Sequence, residues 1–127
     1  DDTHWMTHDC YNTGEVTSDQ KSDNGGIVGC VDHYAEVVRC INIGKVSHGN
    51  AVVGTHKSGS IWHHHNLYYL EGSGKGWCAS SFSDSKKKDK GTFSGFNFDT
   101  DWAIDDKGNM NNGFPYLKNC PFQSVYK

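Results

Sequence analysis

The sequence has little leucine, little proline and no long apolar run. Leucine occurs only at three of 127 positions and proline at two, whereas glycine occurs 15 times. Helical bundles depend on leucine, alanine and glutamate, so this composition argues against a mainly helical fold and favours short strands joined by turns. No stretch of about 18 apolar residues exists, which argues against a membrane-spanning helix. We therefore expect one all-β domain.

The chain also lacks a strong excess of charge of either sign. Its formal net charge is −3, and its one cationic run, residues 86–90, is interrupted by Asp89. This balance argues against a nucleic-acid-binding surface. The five cysteines show no CxxC spacing and no histidine at zinc-finger distance, which argues against structural zinc. Because the first residue is not methionine and no leader pattern follows, we expect a processed product or a fragment.

A repeat is the strongest signal in the sequence. CYNTGEV begins at Cys10 and CINIGKV begins at Cys40, with four identities in seven positions at a spacing of 40 − 10 = 30 residues. The identical positions are Cys10/Cys40, Asn12/Asn42, Gly14/Gly44 and Val16/Val46. A weaker pair, GGIVG and NAVVG, contributes Gly25, Gly26, Gly29 and Gly54. This spacing predicts short β-strands that stack on one another in successive coils of the chain.

The repeated letters predict which side chains meet between neighbouring turns. Strands lie about 4.8 Å apart in a sheet, so the two repeat cysteines would stack, as would the two repeat asparagines. Stacked asparagines hydrogen-bond one another and satisfy a bent backbone. We expect Gly14 and Gly44 to form a corner with positive φ. Asp9 would face Arg39 with opposite charge, which supports the register.

A third copy of the repeat is degenerate. The segment SIWHHHNLYYLEGS, residues 60–73, keeps an apolar start and the YYLEG ending but has no cysteine. If Leu67 takes the cysteine position, it lies 13 residues after Gly54, against 11 from Gly29 to Cys40. This difference predicts an insertion or a bulge in the third copy.

At these residues the chain resembles the GLUG-type repeat of bacterial surface proteins, among them adhesins and the non-catalytic regions of IgA-specific metallopeptidases. NGGIVG from Asn24 and CYNTGEV carry the resemblance, and NLYYLEGSG from Asn66 and FNFDTDWAIDDKGNMNNGFPYL from Phe96 are similar to the end of such an array. The resemblance implies a right-handed parallel β-helix, or β-solenoid, of two to three coils with a C-terminal β-rich cap. It also implies an extracellular or cell-surface location and no catalytic residues.

We divide the chain into three segments of a single domain. Residues 1–74 are interpreted as the solenoid coils, residues 75–92 as a polar surface loop across the end of the stack, and residues 93–127 as the capping segment. Four apolar residues of the last segment keep the even spacing of one strand face: Phe96, Phe98, Trp102 and Ile104. Such a cap would cover the open end of the stack, where strand edges are otherwise unpaired.

Aromatic side chains are the candidate ligand-binding residues. The five candidates are Trp62, Tyr68, Tyr69, Trp77 and Trp102. Flat exposed rings stack on sugars, and a row of them would make a carbohydrate-binding surface. Packing in the core and the cap is the more common use of such residues.

Three other kinds of site have weaker support. His4 and His8 would approach the run HHH, but only His63 and His65 of that run share a strand face, so we interpret these histidines as surface or packing residues. The acidic segment 99–109 lacks the spacing of a calcium loop. Nucleophilic catalysis would need a GxSxG motif or a cysteine beside an oriented histidine, and neither is visible.

The sequence therefore predicts a structural or adhesive module and not an enzyme, without a cofactor. Unpaired strand edges predict end-to-end self-association into a filament or a surface array. Host or matrix glycans or proteins are further expected partners. The alternatives are a carbohydrate-binding module that uses the aromatic candidates, and the non-catalytic part of a larger secreted hydrolase or peptidase. A solenoid enzyme would need acidic groups or a cationic base in a cleft, and none is evident in the repeats.

Overall fold

The computed structural model describes residues 5–19 and 23–119, and this part of the chain is all-β. The strands are β1 (Trp5–Asn12), β2 (Val28–Val31), β3 (Tyr34–Asn42), β4 (Val53–His56), β5 (Ile61–Leu70), β6 (Ser80–Phe82), β7 (Trp102–Ala103) and β8 (Tyr116–Leu117). The helical elements in these ranges are short 3-10 turns at Asp84–Lys86, Lys90–Thr92 and Asn111–Gly113. The described residues thus hold no helix able to cross a bilayer. The predicted all-β class is confirmed.

The repeat forms parallel strands that lie side by side. A four-stranded sheet has the order β1-β3-β5-β6, and a second sheet pairs β2 with β4, also in parallel. In the chain segments that connect the two sheets, isolated parallel bridges join Val16 to Val46 and join Asn50 to both Gly25 and Lys75. Successive passes of the chain therefore lie against one another. We number them layer 1 (5–19 and 23–31), layer 2 (34–56) and layer 3 (61–79).

The register of the long strands follows the repeat. Cys10 lies opposite Cys40 and Asn12 opposite Asn42, as predicted from the 30-residue spacing. The Asn12 side-chain amide donates to Asn42 Oδ1 at 2.9 Å. Cys40 in turn lies opposite Leu67, so leucine occupies the cysteine position of the degenerate third copy. The predicted stacking is confirmed at these positions.

The predicted glycine corner was wrong. Positive φ occurs instead within the three long strands, at Asp9 (53°), Arg39 (52°) and Asn66 (57°), which occupy equivalent register positions. Gly44 is needed for a different reason, because a Cβ there would overlap the backbone carbonyl oxygen of Gly14. Glycine at position 44 therefore permits close approach of two layers, while the strand itself bends at non-glycine residues.

The bend separates two apolar clusters on opposite faces of the long strands. An inner cluster lies between the two parallel sheets and contains Val31, Ala35, Val37, Cys40, Ala51, Val52, Val53 and Leu67. An outer cluster contains Ile41, Phe82, Phe93, Phe96, Trp102 and Phe114. Cys40 and Ile41 are consecutive, and they enter different clusters because successive side chains of a strand point to opposite faces.

In its described part, residues 93–119, the capping segment covers the outer face of the long strands and not the end of the stack. Its rings contact all three long strands. Phe93 packs on Tyr68 of β5 with ring centroids 5.6 Å apart, and Trp102 lies 6.1 Å from Tyr11 of β1. Ile41 of β3 is buried in the same outer cluster. The segment thus crosses the layers laterally, because that face carries one large apolar side chain per layer.

The capping segment is also less regular than its even spacing predicts. Within residues 93–119, only β7 and β8 pair, antiparallel and two residues each. Phe96 and Phe98 lie in turns between residues 93 and 101 and not on a strand. Aromatic packing takes the place of a β-ladder here, with Phe96 and Trp102 stacked at 4.4 Å. The expected strand face at Phe96 and Phe98 was therefore wrong.

The segment interpreted as a polar loop contains ordered structure. β6 extends the main sheet by pairing with residues 68–70 of β5, and Phe82 is 4% exposed. Earlier in the same segment, the Lys75 carbonyl oxygen accepts a hydrogen bond from the Ala51 amide at 2.7 Å. Residues 75–82 therefore continue the stacking of layers, which their polar composition concealed.

Candidate functional site

Four rings gather on the surface where layers 2 and 3 meet, and we call this group the aromatic corner: His56, Trp62, His64 and Trp77. His56 lies 5.8 Å from both tryptophan rings and is stacked on Trp77. The two tryptophans lie 5.7 Å apart, and His64 lies 4.8 Å from Trp62. Trp77 is 39% exposed, so the group presents apolar surface to solvent.

The strand register explains why these rings meet. Trp62 lies opposite Ala35, and His56 lies opposite Val31, so small buried residues of the preceding strands are replaced by rings. β6 pairs only with residues 68–70 of β5, and in the described chain no strand lies beyond Trp62. The rings therefore occupy the end of the inner cluster, where no further layer covers it.

His56 was missed by sequence reasoning. The signal that places it is the 25-residue spacing of the weaker repeat pair, which puts Val28 opposite Val53 and Val31 opposite His56. Histidine at a position held by valine in the previous layer marks the point where the inner cluster reaches the surface.

The opposite end of the stack carries an apolar depression, which we call the N-terminal groove. It has a volume of about 240 Å³ and is lined by Trp5, Thr7, Val28, Cys30, Val31, Asp32, Ala35 and Val37. Trp5 is 63% exposed, although it lies opposite Ala35 in the same ladder as Trp62. The groove and the aromatic corner are therefore the two ends of the same columns of side chains.

Most of the five aromatic candidates are used for packing. Trp102 is fully buried in the outer cluster, so its assignment as an exposed ligand-binding ring is corrected. Tyr68 lies beneath the capping segment, where its hydroxyl donates to the Ser94 carbonyl at 2.7 Å. Tyr69 packs against the inner cluster. Trp62 packs against the same cluster, and its ring also lies 5.7 Å from the exposed Trp77 ring.

The histidines of β5 do not converge with other metal ligands. His63, His64 and His65 are exposed and lie opposite Glu36, Val37 and Val38. No group of three histidine, cysteine, aspartate or glutamate side chains suited to a metal ion occurs in the described part of the chain. His4 lies outside the described residues.

A charged network joins layer 1, layer 2 and the capping segment. Asp9 accepts hydrogen bonds from Arg39 at 2.9 and 3.0 Å and from the Trp102 indole at 2.9 Å. Burial of the Asp9 carboxylate opposes its ionisation, but hydrogen bonds from Arg39, His8 and Trp102 outweigh burial and lower its pKa from 3.8 to about 2. Beside this network lies a cavity of about 360 Å³. Because the carboxylate is ionised and its oxygens accept three partners, it serves as a structural anion and not as a general base.

The two repeat cysteines form a stacked pair of thiols. Each Sγ donates to the carbonyl of the residue two positions earlier, His8 for Cys10 and Val38 for Cys40, at 3.3 Å. The neighbouring Cys40 thiol lowers the pKa of Cys10, while the same interaction and burial raise the pKa of Cys40. Both thiols are free. The Cys10 thiol donates to the His8 carbonyl and not to its imidazole, which is bound to Asp9 instead.

The acidic segment of the cap folds as a turn. The Asp105 carboxylate accepts hydrogen bonds from the backbone amides of Lys107, Asn109 and Met110, at 3.0, 2.9 and 3.0 Å. These hydrogen bonds, that from Lys107 first, lower the pKa of Asp105. Its oxygens are therefore used to close the turn, as aspartates commonly do.

Comparison with protein families, curated proteins and solved structures returned no match to this chain. The function is therefore inferred from the geometry of the described residues. The layered body has two apolar ends, while the Asp9 carboxylate and the thiols of Cys10 and Cys40 are engaged in internal contacts.

Proposed function

We propose that the chain is a rigid, non-catalytic repeat module of a secreted or cell-surface protein, built as a short right-handed β-solenoid of the GLUG type and able to associate end to end. The observation that carries this proposal is the register of the long strands, in which Cys10, Cys40 and Leu67 form one column. The long strand of layer 2 pairs with layer 1 on one side and with layer 3 on the other. A module of this kind serves as a rigid spacer and binds other molecules at its two ends.

The chemistry of the side chains supports a structural role. Asp9 is bound by Arg39 and Trp102, and Cys40 is fully buried. Asn42 is also fully buried, where it links Asn12 to the Gly44 carbonyl. A shift of one layer against the next would leave these buried polar groups without hydrogen-bond partners and would destabilise the fold. They therefore hold neighbouring layers in register.

Insertion of an additional layer tests the proposal. A second copy of residues 10–39 placed between Arg39 and Cys40 should fold, because its strands would find the same partners above and below. We expect a sheet-rich circular dichroism spectrum, cooperative unfolding and a long axis extended by about 4.8 Å in small-angle X-ray scattering. The control inserts the same thirty residues in scrambled order. An insertion that unfolds the protein as fully as the scrambled one would contradict the repeat-module proposal.

The location is tested separately. In cells that produce the full-length protein, an antibody against this chain should label intact cells or the culture medium. Labelling that appears only after permeabilisation would contradict a secreted or cell-surface role, whatever the result of the layer insertion.

A further inference from the structure

The two ends of the layered stack are both apolar but differ in shape. The N-terminal groove is a depression of about 240 Å³ whose floor includes Val31, Ala35 and Val37. The aromatic corner is a group of rings that stands at the other end, with Trp77 39% exposed. Apolar surface of this kind on a small protein marks an interaction site. The exposed Trp5 ring borders the groove, so the rings of a second copy would meet both a depression and an aromatic side chain there.

The strand register aligns these ends along one axis. Trp5, Ala35 and Trp62 lie in one ladder, and Val31 lies opposite His56 in another. A second copy displaced along the stacking direction therefore brings its aromatic corner over the groove of the first. β1 lies at the edge of the main sheet, so its outer backbone groups face the same incoming copy.

Layer 1 is the acidic end of the stack. The described residues of layer 1 include four carboxylates and neither lysine nor arginine: Asp9, Glu15, Asp19 and Asp23. Layer 3, at the other end, includes Lys75 and the carboxylate of Glu71, while Lys57 is already paired with Asp32 of the groove wall at 3.6 Å. The contact between layers 1 and 2 already uses this pattern, since Asp9 pairs with Arg39 at 2.9 Å.

We propose that the aromatic corner of one copy docks into the N-terminal groove of a second copy, head to tail. This inference rests on the end-to-end association in the proposed function and names the two surfaces that make it. Because the surfaces differ, the contact is heterologous and leaves a free groove and a free corner on every dimer. The assembly therefore grows into a linear filament. A sugar is the less favoured occupant, because His56 is stacked on Trp77 and both contact Trp62, so the rings cover part of one another.

Sedimentation velocity over a concentration series tests the inference. The wild-type chain should form a ladder of oligomers that lengthens with concentration. Trp5→Glu places a charge at the groove, and Trp77→Glu places a charge at the aromatic corner. Each substitution should weaken self-association about tenfold or more, as for a residue central to an interface. Ile61→Glu is the matched control, because Ile61 is 61% exposed and lies next to Trp62 but outside the aromatic corner. The control variant should assemble as the wild type does.

Mixing the two variants gives the decisive result. Trp5→Glu keeps an intact corner and Trp77→Glu keeps an intact groove, so an equimolar mixture should form a dimer with no larger species. His64→Glu serves as a second corner variant if Trp77→Glu loses the wild-type circular dichroism spectrum. A mixture that stays monomeric, or equal assembly by all variants, would overturn the inference.

Two further outcomes would also overturn it and are distinguishable from failure of the repeat module. If the wild-type protein stays monomeric at every concentration, the head-to-tail contact does not form. A successful layer insertion would still support the repeat module in that case. Wild-type monomer that binds glycans on an array, with the signal lost in Trp77→Glu, would reassign the aromatic corner to carbohydrate binding.

Discussion

The inner and outer apolar clusters are built from different residues. The inner cluster consists of valine, alanine, cysteine and leucine, with Cys40, Ala51, Val52 and Val53 fully buried. The outer cluster consists mainly of rings, with Phe93 and Trp102 almost inaccessible. Stacked layers repeat at about 4.8 Å, and the buried inner positions hold small side chains, while the large rings of Trp5 and Trp62 lie at the two ends of their column. The outer face has no such repeat, and one segment covers it with large rings.

This difference separates two sources of stability. The inner cluster depends on neighbouring layers alone, and its cohesion grows with each layer as in other repeat proteins. The outer cluster joins residues far apart in sequence, since Trp102 donates to Asp9 across 93 positions. The outer segment therefore clamps layer 1 to layers 2 and 3.

The largest expected effect is at Trp102. Trp102→Ala should lower the free energy of unfolding by about 3–5 kcal/mol, because it empties a buried site and removes the hydrogen bond to Asp9. Chemical denaturation measures the loss, and hydrogen exchange should show faster opening of β1. Trp5→Ala is the matched control, since Trp5 is 63% exposed, and should change stability by no more than about 0.5 kcal/mol. Equal losses in the two variants would mean that the outer cluster is no clamp.

A smaller effect is expected at the glycines of the inner stack. Gly44→Ala should destabilise the fold by about 1–3 kcal/mol, because its methyl group would overlap the Gly14 carbonyl of the adjacent layer. Gly14→Ala should change stability by less than about 1 kcal/mol, since the nearest atom to its Cβ would be Asn12 Oδ1 at 3.7 Å. Thermal and urea unfolding compare the pair. A Gly14→Ala variant that is the less stable of the two would contradict the assigned contact between layers.

The pH dependence of Asp9 is the smallest of the three effects. Its pKa is about 2 in the folded protein against 3.8 ordinarily, so folding favours the ionised form. The corresponding stabilisation, roughly 2 kcal/mol, is complete above about pH 5 and is lost as the pH falls from about 4 to about 2. Asp9→Asn should therefore lie closer to the wild-type stability at pH 2 than at pH 7.

Arg39→Gln provides the check on that prediction. If the Arg39 guanidinium is the main cause of the lowered Asp9 pKa, this variant should lose most of the same acid-dependent stability. An Arg39→Gln curve that runs parallel to the wild type between pH 2 and pH 5 would place the stabilisation elsewhere.

Local regularity made much of the inner stack predictable. The identities at Cys10/Cys40 and Asn12/Asn42 define a register, and a register defines which strands pair. Leu67 could be placed at the cysteine position by the same reasoning. The candidate site was only partly predictable. Trp62 and Trp77 were singled out as rings, but their exposure depends on where β6 stops, and the sequence carries no clear mark of that end.

The amino-acid sequence by itself determined the all-β class and the pairing of the repeats, because both follow from local composition and from letters that recur at a constant spacing. Only the tertiary structure decided which rings are buried. Trp102 and Trp77 belong to similar polar surroundings in the sequence, yet one is fully buried and the other is 39% exposed. The burial of Trp102 depends on the surface that the capping segment crosses. That path is set by packing against β1, β3 and β5 at once.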